Sequence, residues 1–112
     1  MLIYKILRAP EWADLQAQGE TAGAPIDVAD GFVHFSTAAQ ARETAAKHFA
    51  GIDGLLLAAL DADALGEALK WEVSRGGDKF PHLYAPLRLA DILWTRDLPL
   101  GPDGHQFPEE MV

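Results

Sequence analysis

Residues 54–60 read Gly-Leu-Leu-Leu-Ala-Ala-Leu, an unbroken apolar run too short to cross a bilayer. With both neighbours of every residue apolar, it reads as a strand buried on both faces, although periodicity alone does not separate it from a buried helical segment. A strand covered on both sides must sit at the centre of a sheet, with helices or a second layer packed outside. In a chain of 112 residues there is room for one such core. One domain is expected, with its core over about residues 2–98 and an irregular tail over 99–112.

The flanking segments fit around that strand. Leu2 to Leu7 reads as a second strand, and Pro10 suits the first turn of a helix that Gly19 would stop. Trp12 and Leu15 then share a face. Thr37-Ala-Ala-Gln40 has the form of a capping box, opening a helix to about Ala50. Ala38, Ala41, Ala45 and Phe49 form its buried stripe, and Glu43 with Lys47 makes an i,i+4 pair. Asp61 to Leu69 reads as a short helix or turn, and Lys70 to Ser74 as an alternating strand. His82 to Tyr84 is a short extended piece and Asp91 to Leu98 a last strand. The stretch from Gly19 to Asp30, GETAGAPIDVAD, shows turn formers and no period, and reads as a loop that is either a lid or disordered. Interspersed strands and helices without clean crossovers predict an α+β fold, with short strands in a bent or split, mainly antiparallel sheet.

Charge narrows the partners. The chain carries a net −8, which disfavours nonspecific nucleic-acid binding. Yet from Lys70 to Arg88 four basic residues stand against two acidic ones, a local excess that is either random scatter or a pocket for one small anionic group. There are no cysteines, which removes disulfide and thiolate chemistry. The opening MLIYKILRAP lacks a signal peptide's apolar span and cleavage site, so a cytoplasmic location without membrane attachment is expected. His34, His48, His82 and His105 are scattered with no metal-binding spacing, and no metal is expected.

Two clusters could carry chemistry. In Gly31-Phe-Val-His-Phe-Ser-Thr37, strand alternation puts Phe32, His34 and Ser36 on one face. If Thr37 caps the next helix, the Ser36 hydroxyl is free beside that helix's N-terminal N–H groups, an arrangement suited to a polar or anionic ligand. The same residues also fit a half-buried histidine bonded to a backbone carbonyl. In the second cluster, Ser74 to Tyr84, Arg75 offers a planar fork for a phosphate or carboxylate, and Gly76 and Gly77 admit close backbone approach. His82 and Tyr84 share a face there. A surface hairpin with a solvated arginine and a core tyrosine is the plainer alternative.

GFVHFSTAAQ (residues 31–40) and WEVSRGGDKFPHLYAPL (71–87), with LIYKI (2–6) and LLLAALD (55–61), resemble the small bacterial family catalogued as domain of unknown function 952, from about Leu2 to Leu98. More distantly, the His-Φ-Ser strand end, the alanine-rich helix and the apolar strand ending in Asp are similar in order to the NAD-binding half of tRNA 2′-phosphotransferases. Those enzymes belong to the ADP-ribosyltransferase superfamily. That resemblance implies a split, bent sheet with NAD in the cleft, and either NAD-dependent ADP-ribosyl transfer or NAD glycohydrolysis on a small molecule or protein. It implies His34 as positioner of the nicotinamide ribose and Ser36 on the nicotinamide side. By chemistry and position, Glu72 would steady a cationic ribose, His82 would be a second positioner, Tyr84 would stack on a ring and Arg75 would pair with the pyrophosphate. The chain departs from the tRNA enzymes in lacking an early Arg-His pair, offering only Tyr4, Lys5 and Arg8. It also has no glutamate at the late-strand position that many protein-modifying members use. A non-catalytic module that binds a nucleotide or other anionic metabolite in the same cleft is the alternative.

Overall fold

In the computed structural model, which describes residues 1–74, 77–109 and 111, the apolar run is strand β4, Leu55–Asp61. It lies at the centre of an antiparallel sheet, between β1 (Leu2–Leu7) and β8 (Ile92–Leu98). Alternation sorts its side chains. Leu55, Leu57 and Ala59 enter one apolar cluster, while Leu56, Ala58 and Leu60 pack into the other. The first cluster is closed by Ala45 and Phe49 from the segment after residue 37, and the second by Trp12 and Leu15 from helix α1, Ala9–Gln18. Gly19 ends α1 in the left-handed conformation, as expected.

A second antiparallel sheet holds β3 (Val33–His34), β6 (Lys79–Leu83) and β5 (Leu69–Val73), with β6 in the middle. The backbone passes from one sheet to the other in a single residue step. Phe35 donates its N–H to the Pro81 carbonyl in β6 at 3.0 Å, while Ser36 exchanges backbone bonds of 2.8 and 2.9 Å with Tyr4 in β1. The chain therefore leaves one ladder and joins the other between consecutive residues, which is why β3 is shorter than the expected Phe32–Ser36 strand. The architecture is α+β, with antiparallel pairing throughout the described ladders.

Helix α3 follows, Ala38–His48. Thr37 Oγ1 accepts the Gln40 N–H at 3.3 Å and Gln40 Oε1 accepts the Thr37 N–H at 3.1 Å, which completes the capping box. Glu43 and Lys47 pair at 3.1 Å. The helix stops short of Ala50 because Phe49 leaves helical backbone angles to pack its ring into the core. Ala62–Ala68 holds short 3-10 turns broken by a kink at Gly66, as the short helix or turn reading anticipated.

Two expectations are corrected. The stretch 19–30 is neither a structureless lid nor disordered: it contains the short strand β2 (Glu20–Thr21), paired with β7 (Leu87–Arg88), and helix α2, Pro25–Asp30. The tail is not wholly irregular either. Leu100–Gly101 (β9) and Gly104–His105 (β10) form a small hairpin, and His105 Nε2 donates to the Ile52 carbonyl at 2.7 Å. Among the described residues, no helix is long and apolar enough to cross a membrane.

Candidate functional site

Helix α2 positions the group on which the site is built. Pro25 opens it and Gly31, with a left-handed φ of 85°, closes it. Asp27, at the third helical position, reaches back to the N–H of Ala24 at 2.7 Å and is completely buried. The same carboxylate accepts from Lys5 Nζ at 2.8 Å, from the His34 N–H at 3.0 Å and from His34 Nδ1 at 2.5 Å. Burial alone would push this carboxyl up, but the hydrogen bond from His34, then the charge and hydrogen bond of Lys5, outweigh it and hold the pKa at about 2. Lys5, itself almost buried, uses a further N–H on the His34 carbonyl at 3.0 Å. Both charges are therefore desolvated but hydrogen-bonded, Asp27 through four contacts and Lys5 through two, the condition under which a buried ion pair is tolerated.

This pair orients His34. Its Nδ1 is held by Asp27, and its Nε2 lies 3.0 Å from Asp30 Oδ2 at the end of α2. Each ring nitrogen faces a carboxylate, one buried and one half exposed. The plainer expectation of a histidine bonded to a backbone carbonyl does not describe this ring.

On the neighbouring strand, His82 is buried and its Nδ1 sits 2.9 Å from Glu72 Oε1. Tyr84 donates its hydroxyl to that same oxygen at 2.6 Å. The Tyr84 bond, followed by that from His82, holds the Glu72 carboxyl below its usual range, and the carboxylate in turn raises the Tyr84 phenol. Phe32 supplies the platform. Its ring stacks on His82 with centroids 4.2 Å apart and touches those of His34 at 4.6 Å and Tyr84 at 5.2 Å. The two imidazoles lie edge to face, 5.3 Å apart.

Where the two sheets meet there is a cavity of about 460 Å³, within the range usual for small-molecule sites. His34, Ser36 and His82 line one part of it, with Tyr4, Phe49 and Phe80 giving aromatic walls. Ser36 is buried and its Oγ lies 2.9 Å from Thr44 Oγ1. Arg8 also lines the cavity, held 4.7 Å above the Phe49 ring and 3.5 Å from Glu11. Thr37, Glu72, Gly77 and Tyr84 stand outside the described lining: Thr37 serves as helix cap, Gly77 turns the chain with a φ of 82°, and Glu72 and Tyr84 lie behind His82. Arg75 and Gly76 lie outside the described residues.

Asp27, Lys5 and Phe32 were not picked out by sequence reasoning. Signals for them exist. A-P-x-D places a proline at the first helical position and an acid at the third, a helix-start pattern inside the stretch read as loop. A lysine within the apolar strand LIYKIL calls for a buried partner.

Two solved structures of one protein resemble the chain. The crystal structure of protein CC0527 from Caulobacter crescentus is 52% identical, with a TM-score of 0.91, covering 95% of this chain and 94% of that one. The solution NMR structure of the same protein is 53% identical with a TM-score of 0.83, covering 93% and 90%. No curated protein matches. Residues 6–95, from the last two residues of β1 into β8, match the family described as "Protein of unknown function (DUF952)", and the chain belongs to that family.

Proposed function

We propose that the cavity between the two sheets is a nucleotide site and that the chain is an NAD-cleaving enzyme of the ADP-ribosyltransferase kind. The observation that carries this reading is the convergence of His34, Ser36 and His82, from two chain segments nearly fifty residues apart, on one aromatic-walled cavity. The cavity fits the nicotinamide-ribose half of NAD in kind. Aromatic faces suit a planar ring, and Arg8 stands on the lining as a cation for an anionic group. His34 would position the ribose. Its Nδ1 is anchored on buried Asp27, while the Asp30 partner of Nε2 is half exposed and can give way to a ribose hydroxyl. Ser36 would face the nicotinamide side. In this reaction the bond from nicotinamide nitrogen to ribose C1′ breaks with its electron pair going to nicotinamide, and an acceptor oxygen takes its place on C1′.

A second reading, binding without turnover, has its own observation. The carboxylates on the described lining are Asp27 and Glu11. Asp27 is saturated with hydrogen bonds, and Glu11 is engaged by the Arg8 N–H at 3.0 Å and by its guanidinium. Neither is placed to steady a cationic ribose, and Glu72 is committed to His82 and Tyr84.

Incubation of the purified chain with NAD, with released nicotinamide measured by chromatography, separates these readings. Release that is lost in His34→Ala supports the enzyme. A thermal shift with NAD and no release supports the binding module, since a ligand of the native state raises its stability by mass action. Neither shift nor release sinks both.

A further inference from the structure

The two ring nitrogens of His82 have different surroundings. Nδ1 is taken by Glu72, whereas Nε2 has no hydrogen-bond partner among the described residues. The residue is only 5% exposed, and it belongs to the cavity lining. Buried polar atoms are nearly always paired, and one left over beside a cavity marks a place for a ligand atom. His34 offers no such nitrogen, since both of its own face carboxylates.

The chemistry of Glu72 decides what the free nitrogen can do. An ionised carboxylate only accepts hydrogen bonds, so the proton of a neutral His82 sits on Nδ1 and the lone pair on Nε2. The Tyr84 hydroxyl on the same oxygen, 2.6 Å away, favours that ionised carboxylate. Phe32, stacked at 4.2 Å, fixes the plane of the ring. The charged and titratable groups around His82 are Glu72 and, opposite it in the strand register, Lys70 from β5, Tyr84 beyond the end of β6, and His34 from β3.

We propose that His82 Nε2 is the proton acceptor for the hydroxyl that attacks the ligand in this cavity, with Glu72 as the positioning residue behind it. The proposal rests on the NAD-cleaving reading above and names the group that activates its acceptor, an alcohol or water. As the acceptor oxygen bonds to ribose C1′, its proton passes to Nε2. The C1′–nitrogen bond breaks with its electron pair leaving on neutral nicotinamide. The imidazolium formed donates through Nδ1 to the Glu72 carboxylate and then returns its extra proton to water. This is the carboxylate–imidazole arrangement used in general base catalysis.

The test reads the tautomer first, without substrate. Long-range ¹H–¹⁵N NMR of the full chain, read over the pH range in which the His82 ring is neutral, should show it protonated on Nδ1 and bare on Nε2, a pattern that Glu72→Ala should weaken. A proton fixed on Nε2 overturns the proposal, whether or not nicotinamide is released. With NAD and an alcohol acceptor, His82→Gln should slow release by about a hundredfold or more, and Glu72→Gln should lower kcat more than it changes KM. Wild-type release by His82→Gln overturns the acceptor role while the NAD reading stands. A chain that shows the expected tautomer but does not release nicotinamide overturns the NAD reading and this use of His82 with it.

Discussion

Lys5 Nζ lies 2.8 Å from Asp27 Oδ2 in a setting where the carboxylate is wholly buried and the ammonium nearly so. The contact ties the first strand of one sheet to the short helix that precedes the second. It also carries His34, through both the ring and the backbone of that residue.

Acid should loosen this centre. The Asp27 pKa falls from 3.8 to about 2 on folding, so its stabilisation is fully present above pH 3.8 and is lost as the pH drops through 2. At 1.36 kcal/mol per unit, the contribution is on the order of 2 kcal/mol. Asp27→Asn, which leaves the Lys5 ammonium buried without its counter-charge, should cost about 3–5 kcal/mol in urea unfolding at neutral pH. A loss below 1 kcal/mol would show that the pair is not what holds α2 down.

Gly23 should not tolerate a side chain. Its φ is 102°, and a Cβ there would collide with the Asp27 carboxylate. Gly23→Ala combines backbone strain with displacement of a buried charge, and the expected cost is at least about 1–3 kcal/mol. Thermal melts of Gly23→Ala and of Gly54→Ala, a left-handed glycine with open space around it, separate the two terms. Equal losses would mean that the contact with Asp27 contributes nothing.

Deprotonating Tyr84 removes its hydrogen bond to Glu72 and places a second negative charge beside that carboxylate, so the phenol should titrate above its ordinary value of 10.0. Ultraviolet titration of the tyrosinate band reads this directly, with Tyr84→Phe identifying the signal. Glu72→Gln should return the midpoint toward the ordinary value. An unchanged midpoint would break the link between the two groups on which the Glu72–His82 geometry depends.

Leu57 has no exposed surface and stands in the middle of β4. Leu57→Ala should destabilise the chain by about 2–5 kcal/mol, the usual range for an unrelaxed cavity. Leu56→Ala, on the opposite face and less buried, should cost less. Chemical denaturation of both variants checks that the sheet is covered on two sides.

The parts of the fold legible in the sequence are those where local pattern and tertiary context agree. The apolar run at Leu55, the capping box at Thr37 and the alanine stripe of α3 each carry their structure in a few adjacent residues. The region around Asp27 was harder because its helix is only six residues long, too short for a visible period. It is held by His34, just past its end, and by Lys5, which lies in a different strand. The site was legible in the same uneven way. His34 and Ser36 announce themselves by strand alternation and His82 by sharing a face with Tyr84, whereas the register that sets His34 opposite His82 appears only in the structure. That Glu72 would turn toward His82, not into the cavity, depends on the pairing of β5 with β6, which no short motif encodes.

The step from Phe35 to Ser36 has a mechanical consequence. Each three-stranded ladder is internally cross-linked, but the described backbone bridge between them is the one exchanged by Tyr4 and Ser36. Side-chain packing reinforces that seam, since Ile3 and Leu60 of one sheet share a buried apolar cluster with Val33 and Leu83 of the other. Because Ser36 forms both the seam and part of the cavity wall, any change that loosens the bridge to Tyr4 also reshapes the cavity.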